Sequence, residues 1–335
     1  MKYTPFGKTG LRVSQVALGT GNFGTGWGHG AAPDASKAIF NAYAEAGGNF
    51  IDSADVYQFG QSEELLGTLL EGRREDFVLA TKFTNGAVPN ANRLVTGNSR
   101  KAMVSSVEAS LKRLKTDRID IYWAHHPDGI TPIEEIIRGF EDLARAGKIL
   151  YGGLSNFSAW RLARAVTMAE LTHAVPIAAA QFEHSLVHRE PEADLFAASH
   201  ALGLGVVTWS PQGGGMLTGK YRQGETGRAE GLGGKVFRPE NSAQRTQVLD
   251  TLLAIAGEVG ASAGQVAIAW AGTHGAVPII GPRSLTHLTE NLGALTLELS
   301  AEQISRLDTA SSLVPSAPAR TPVPWAVGVP ARVVA

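Results

Sequence analysis

The 335-residue chain contains no cysteine, which excludes disulfide staples and thiolate metal sites. It has no charge excess either: 30 Lys and Arg stand against 31 Asp and Glu, a formal net charge of -1. Without a basic run there is no electrostatic footprint for nucleic acid or an anionic membrane surface, and neither partner is expected. No apolar stretch has the roughly 20 polar-free residues that cross a bilayer. The start, Met1-Lys2-Tyr3-Thr4-Pro5, lacks the apolar core of a signal peptide, so a cytoplasmic location is expected. The nine histidines show no pair on one helical turn and no carboxylate cluster, so no metal is expected. Repeats, low-complexity linkers and composition breaks are missing too, which predicts one domain over 1–335. What the chain does have is 44% hydrophobic residues, enough for a large buried core.

Those apolar residues fall in short runs that alternate with amphipathic segments. Candidate strands are Val16-Ala17-Leu18, Phe50-Ile51, Phe77 to Ala80, Ile119 to Tyr122, Ile149 to Tyr151, Ile177 to Ala180, Val206 to Trp209 and Val277 to Ile280. Between them, Ile133, Ile136, Ile137, Phe140 and Leu143 share one helical face behind a Thr131-Pro132-Ile133-Glu134 capping box. Asn98 or Ser99 can cap a helix carrying Val104, Val107, Leu111 and Leu114, and Ser62 can cap another carrying Leu65, Leu66 and Leu69. Eight strands, each followed by a helix, predict a (β/α)8 TIM barrel of the α/β class. The boundaries read as an N-terminal β-hairpin over 1–15 able to plug the barrel floor, the barrel over 16–295, extra helices and loops after the seventh strand, and a proline-rich tail over 311–335. An open doubly wound sheet competes, because Gly19 to Gly24 matches a dinucleotide-binding glycine pattern, but no helix begins there.

Polar residues able to give or take a proton sit where three of these strands end. Asp52 and Tyr57 follow the second strand, Lys82 the third and His125 the fourth, so a barrel mouth would gather a carboxylate, a phenol, an ammonium and an imidazole. A free tyrosine has a pKa of about 10, and a nearby ammonium favours its phenolate. Lys82 can supply that charge, Asp52 can hold Lys82, and His125 can share a proton with the oxygen that Tyr57 protonates. Such a site suits protonation of a carbonyl oxygen. The carbon must then receive a hydride, which no side chain provides, so a nicotinamide cofactor is implied. Gly214 to Lys220 imitates a phosphate loop, but Tyr221 stands where a magnesium-binding hydroxyl is needed, which argues against nucleotide hydrolysis.

These residues, with Ser62-Glu63-Glu64-Leu65-Leu66-Gly67, His125 to Asp128, Gly153-Leu154-Ser155-Asn156-Phe157 and Glu290-Asn291, resemble the aldo-keto reductases over nearly the whole chain. The resemblance implies Tyr57 as general acid, Lys82 and Asp52 tuning it, and His125 orienting the substrate carbonyl. It also implies Ser155, Asn156 and Gln181 on the nicotinamide carboxamide and Trp209 stacked on the ring. Thr208-Trp209-Ser210-Pro211, followed by Leu217 to Tyr221, is most similar to the branch with bacterial reductases and potassium-channel β subunits. The glycine-rich stretch containing Ser210, Pro211, Gly213, Lys220 and Arg228 would close over the pyrophosphate. Gly281, Arg283, His287, Glu290 and Asn291 would hold the adenosine end, Arg283 reading the 2′-phosphate, so NADPH is expected rather than NADH.

The sequence departs from the family pattern at Gln58, where glycine is usual, at His287, where glutamine is usual, and at Gln212-Gly213-Gly214-Gly215. Phe23, Trp27, Phe83 and His126 are candidates for the substrate pocket, as they follow strands on the reactive side. The expected activity is reversible, NADPH-dependent reduction of an aldehyde or ketone. The alternatives are a nicotinamide-sensing subunit with little turnover and, less favoured, a Schiff-base site on Lys82.

Overall fold

The computed structural model describes residues 1–225 and 238–313. Arg228 and nearly all of the proline-rich tail lie outside the described residues. Strands β1 (Tyr3–Pro5) and β2 (Arg12–Ser14) form an antiparallel hairpin. Eight parallel strands follow: β3 (Ala17–Gly19), β4 (Phe50–Asp52), β5 (Val78–Phe83), β6 (Ile119–Ala124), β7 (Ile149–Ser155), β8 (Ile177–Glu183), β9 (Gly205–Trp209) and β10 (Val277–Ile280). They close in sequence order, with β10 pairing back onto β3. The fold is the expected (β/α)8 barrel. Strands β5 to β8 run two to four residues past the expected ends; in β5 and β8 the added residues include Lys82 and Gln181, buried and bonded to Asp52.

The two-residue period of a strand decides what each side chain meets. Phe50, Val78, Ala80, Ile121, Trp123, Ala179 and Val207 form an inner cluster with the hairpin. Their neighbours Ile51, Leu79, Phe83, Tyr122, Ala180, Phe182 and Val206 join the layer that packs under the helices. Continued by one period, the inward set at the carboxyl ends of the strands becomes Asp52, Lys82, His125 and Gln181. At the opposite end the hairpin seals the floor: Phe6 and Val13 are buried in the inner cluster, and Phe6 meets Phe50 edge-on at 5.4 Å. Gly7 permits this seal, since it has φ +56° and a Cβ there would lie 2.4 Å from the Gly205 nitrogen.

The described helices are α1 (Pro33–Glu45), α2 (Gln61–Leu69), α3 (Arg100–Leu114), α4 (Ile133–Arg145), α5 (Ala159–Leu171), α6 (Leu195–Leu202), α7 (Ala243–Val259), α8 (Ala263–Gly272), α9 (Leu285–Gly293) and α10 (Ala301–Ala310). Helix α4 buries the expected face, but its capping box does not form. The Thr131 hydroxyl instead donates to Asp128 at 2.6 Å, leaving Pro132 at the N-cap. Ser99 caps α3. Ser62 caps nothing: α2 begins one residue earlier at Gln61, behind a left-handed Gly60, and the Ser62 hydroxyl donates to the Thr20 carbonyl. The extra elements fall after β9, the seventh barrel strand: 3-10 turns over Gly213–Thr218 and Lys220–Gln223, then α7 and α8, which share a separate core around Trp270 with α10. Among the described residues no single helix is long and apolar enough to cross a membrane.

Candidate active site

Lys82 is wholly buried at the inner face of β5. Its Nζ donates to Asp52 Oδ2 at 2.5 Å, to the Ser53 carbonyl at 2.8 Å and to Tyr57 Oη at 3.4 Å, and it lies 5.1 Å from the Tyr57 ring centroid. Burial works against the ammonium, but the Asp52 carboxylate and the Tyr57 oxygen outweigh it and raise the lysine above its ordinary pKa. A Schiff-base lysine must lose its proton to attack, so this environment opposes that reading. Asp52 is itself held from the far side: Gln181 Nε2 donates to its Oδ1 at 2.8 Å across 129 residues of sequence.

His125 continues β6, its backbone nitrogen donating to the Phe83 carbonyl and to Thr84 Oγ1, both at 3.2 Å. Its ring stands edge-on to Tyr57 with centroids 6.0 Å apart. Burial, the Lys82 charge and His126 push its pKa well below the ordinary imidazole value, so the ring is neutral at pH 7. The structure therefore brings Asp52, Tyr57, Lys82 and His125 to one mouth.

Next to them, Ser155 ends β7 and accepts at its Oγ from Asn156 Nδ2 at 3.0 Å. Asn156 Nδ2 also donates to the His125 carbonyl at 2.9 Å, and its Oδ1 accepts from the Trp209 indole at 3.1 Å. Asn156 (φ +61°) and Ser210 (φ +57°) are both left-handed. Two non-glycine residues in that region beside one another mark a place where the surroundings enforce an unfavourable backbone. Pro211 is buried, and Gly213, Gly214 and Gly215 follow with φ of +58°, +68° and +103°.

A second group forms at the start of α9. The Gly281 carbonyl accepts from Asn22 at 2.7 Å, and Ser284 caps the helix through the His287 nitrogen. Burial, then the charges of Arg283 and Lys220, hold His287 below its ordinary pKa. Glu290 accepts from Ser262 at 2.8 Å, and Asn291 accepts from Gln212 at 3.3 Å.

The expected substrate pocket needs correction at two positions. Phe83 is fully buried in the outer layer and stacked on Tyr122 at 5.0 Å. With Lys82 pointing inward, the strand period sends its neighbour outward. Phe23 is likewise buried in that layer, its backbone bridged to Ala31. Trp27 and His126 remain at the mouth, Trp27 edge-on to Tyr57 at 6.0 Å. Gln58 explains why glycine is common after the tyrosine: it has φ +51°. Its amide accepts from the Trp27 nitrogen at 2.9 Å and donates to the Gly21 carbonyl at 2.9 Å, fastening the Trp27 loop over Tyr57.

Comparison with known proteins decides the family. The pattern of the Aldo/keto reductase family matches residues 15–312. The chain belongs to the aldo/keto reductase family. It is 35% identical over 322 residues to an uncharacterized oxidoreductase, YrpG, of Bacillus subtilis, covering 92% of this chain and 95% of that one. It is 34% identical to a probable voltage-gated potassium channel subunit beta of Oryza sativa subsp. japonica, covering 96% of this chain and 99% of that protein. Identity to a norsolorinic acid reductase of Aspergillus flavus is 33%, with coverage of 90% and 78%.

Aldo/keto reductases use nicotinamide cofactors, and the donor set here fits one. Ser155, Asn156 and Gln181 offer hydroxyl and amide groups beside the partly exposed Trp209 indole, which suits a planar carboxamide. Lys220, Arg283 and His287 suit phosphate. Two positioning contacts had no signal in the sequence: Gln181 on Asp52, and Asn85, whose amide bridges His125 and His126. One ligand-like group also appears among the described residues, His184, Glu192 and His274, with candidate atoms within 4.8 Å of one another. Arg189 binds both oxygens of Glu192, at 2.8 and 2.6 Å, and His184 donates to it at 2.7 Å. Burial alone would raise Glu192, but these hydrogen bonds bring it down to about 2, as in an ion pair.

Proposed function

We propose that this protein reduces an aldehyde or ketone to the alcohol with NADPH, reversibly, with Tyr57 as the proton donor. One observation carries the reading: a wholly buried ammonium, Lys82, clamped by Asp52 and aimed at the Tyr57 oxygen. A buried cation is costly unless its partners use it, and a phenol that must part with its proton uses it well. The substrate carbonyl oxygen would lie between Tyr57 Oη and the neutral His125 ring. The nicotinamide, when bound, supplies the hydride to the carbonyl carbon. As negative charge builds on the oxygen, His125 donates a hydrogen bond and Tyr57 transfers its proton. The phenolate left behind is held by Lys82, which Asp52 keeps charged through the cycle. Gln181 keeps Asp52 in place, and the Trp27 loop covers Tyr57.

The preference for NADPH rests on Arg283, which immediately precedes the Ser284 cap of α9, and on Lys220, whose charge also reaches His287 on that helix, so that a 2′-phosphate would find cations and backbone amides. Arg283→Ala should weaken NADPH about tenfold or more and NADH little; equal weakening would take Arg283 out of that role. The test of the whole reading is titration with NADPH and NADH by tryptophan fluorescence, followed by NADPH consumption against a panel of aldehydes and ketones. Binding with turnover supports the reductase. A second reading, a nicotinamide-binding regulatory subunit, draws on the rice relative; binding with no turnover on any carbonyl would favour it.

A further inference from the structure

Between the end of β5 and His125 lies a side chain that the proposed chemistry has not used. Asn85 follows Lys82 by three residues, just before Gly86, whose nitrogen donates to Asp55 Oδ2 at 3.1 Å. Its amide sits between two imidazoles whose ring centroids are 5.7 Å apart. Asn85 Nδ2 is 3.2 Å from His125 Nδ1, and Asn85 Oδ1 is 2.7 Å from His126 Nε2. The backbone of both histidines is fastened independently, His125 through Thr84 and Asn156, and His126 through Asn98 Nδ2 at 2.8 Å on its carbonyl. Little is left for Asn85 to hold except the rings themselves.

We propose that Asn85 is a positioning residue that fixes the tautomer of His125, keeping its single proton on Nε2 for donation to the substrate oxygen. The argument is one of donor and acceptor count. An amide nitrogen only donates and an amide oxygen only accepts, so His125 Nδ1 must present a lone pair and His126 Nε2 must present a proton. The two distances choose the amide orientation. A separation of 2.7 Å suits N–H···O and is short for N–H···N, whereas 3.2 Å suits N–H···N. Flipping the amide would put nitrogen against nitrogen at the shorter distance. Because the ring is neutral beside the Lys82 cation, it carries one proton, and with Nδ1 accepting, that proton is on Nε2. Without Asn85 the neutral ring could place its proton on Nδ1 and turn a lone pair toward the carbonyl, opposing the charge that develops there. Partners that fix a histidine tautomer at metal sites are worth about 10- to 100-fold, and an effect of that size is expected on turnover here.

The consequence for catalysis rests on the carbonyl-reductase reading; the tautomer itself does not. The test is a long-range proton–nitrogen correlation spectrum of the full chain with 15N-labelled histidine, His125 being assigned by its disappearance in His125→Gln. The expected result is an Nε2–H neutral ring from pH 6 to 8. Asn85→Asp replaces the donor by a carboxylate, so Nδ1 should become protonated. In that variant kcat should fall about 10- to 100-fold at pH 8 and recover as the pH falls, because the new carboxylate beside Nδ1 favours a doubly protonated ring, with cofactor affinity unchanged. Asn85→Leu, with no donor or acceptor, should lose kcat at every pH and show no recovery. An Nδ1–H tautomer in the wild-type protein, or an unaltered tautomer and pH profile in Asn85→Asp, overturns the proposal. If the tautomer behaves as expected while the wild-type protein reduces no carbonyl, the reductase reading fails and the assignment of Asn85 stands.

Discussion

The two ends of the barrel are made by the same strands under the same alternation, yet one end is apolar and the other carries titratable groups. On β4 the inward residues run from Phe50 to Asp52, on β5 from Val78 through Ala80 to Lys82, and along β6 from Ile121 through Trp123 to His125. At the floor these positions are apolar and sealed by Phe6 and Val13. At the mouth they are a cation and an anion joined by a hydrogen bond, with a neutral imidazole held by Asn85 beside them. Moving one period along a strand thus changes a packing position into a chemical one, while the fold beneath supplies rigidity to both.

Breaking the mouth should cost the most. Lys82→Met leaves Asp52 buried beside Gln181 without its cation, and loss of one partner of a buried pair destabilises by about 3–5 kcal/mol; turnover should vanish as well. Denaturant melts with parallel assays check both effects. An equally stable variant would show that the ion pair is not needed by the fold. Breaking the floor should separate the two properties. Phe6→Ala removes a fully buried ring from the inner cluster, an expected loss of about 3–5 kcal/mol, while activity per folded molecule stays within about twofold because the ring packs on Phe50 at the floor. A large fall in kcat of the folded fraction would mean that the ends are coupled.

Asp55 sharpens the comparison, being a buried carboxyl behind the mouth that the chemistry does not use. Burial, then the Glu63 charge, push it up to about 7. The native state therefore holds a proton between pH 3.8 and 7 that the unfolded chain has released. This contribution to stability is full below about pH 4, falls as pH rises toward 7 and is lost above it. Asp55→Asn should consequently be more stable than wild type at pH 8, by at most about 4 kcal/mol, and the difference should shrink toward pH 4. A difference that does not change with pH would show that Asp55 is already ionised in the native protein.

Much of this was legible in the chain. Each apolar run marked a strand, and the placement of Asp52, Lys82 and His125 after successive runs marked the mouth. The strand ends were not legible, since Lys82, Ser155 and Gln181 interrupt the apolar pattern while remaining in the ladder, and only a partner elsewhere makes a buried lysine tolerable. Phe83 was a misreading that strand alternation could have prevented, because an inward Lys82 requires an outward neighbour. Thr131 and Ser62 failed as caps through competition for their hydroxyls by Asp128 and the Thr20 carbonyl. The Gln181–Asp52 and Asn85–His125 contacts span 129 and 40 residues; no local pattern announces either.

The most direct measurement is cofactor affinity and carbonyl turnover of Tyr57→Phe beside the wild-type protein. The hydroxyl alone is removed, so NADPH affinity should stay within about twofold while kcat falls by about 10²- to 10⁴-fold. A variant that reduces carbonyls at the wild-type rate would contradict Tyr57 as the proton donor and, with it, the account of the mouth.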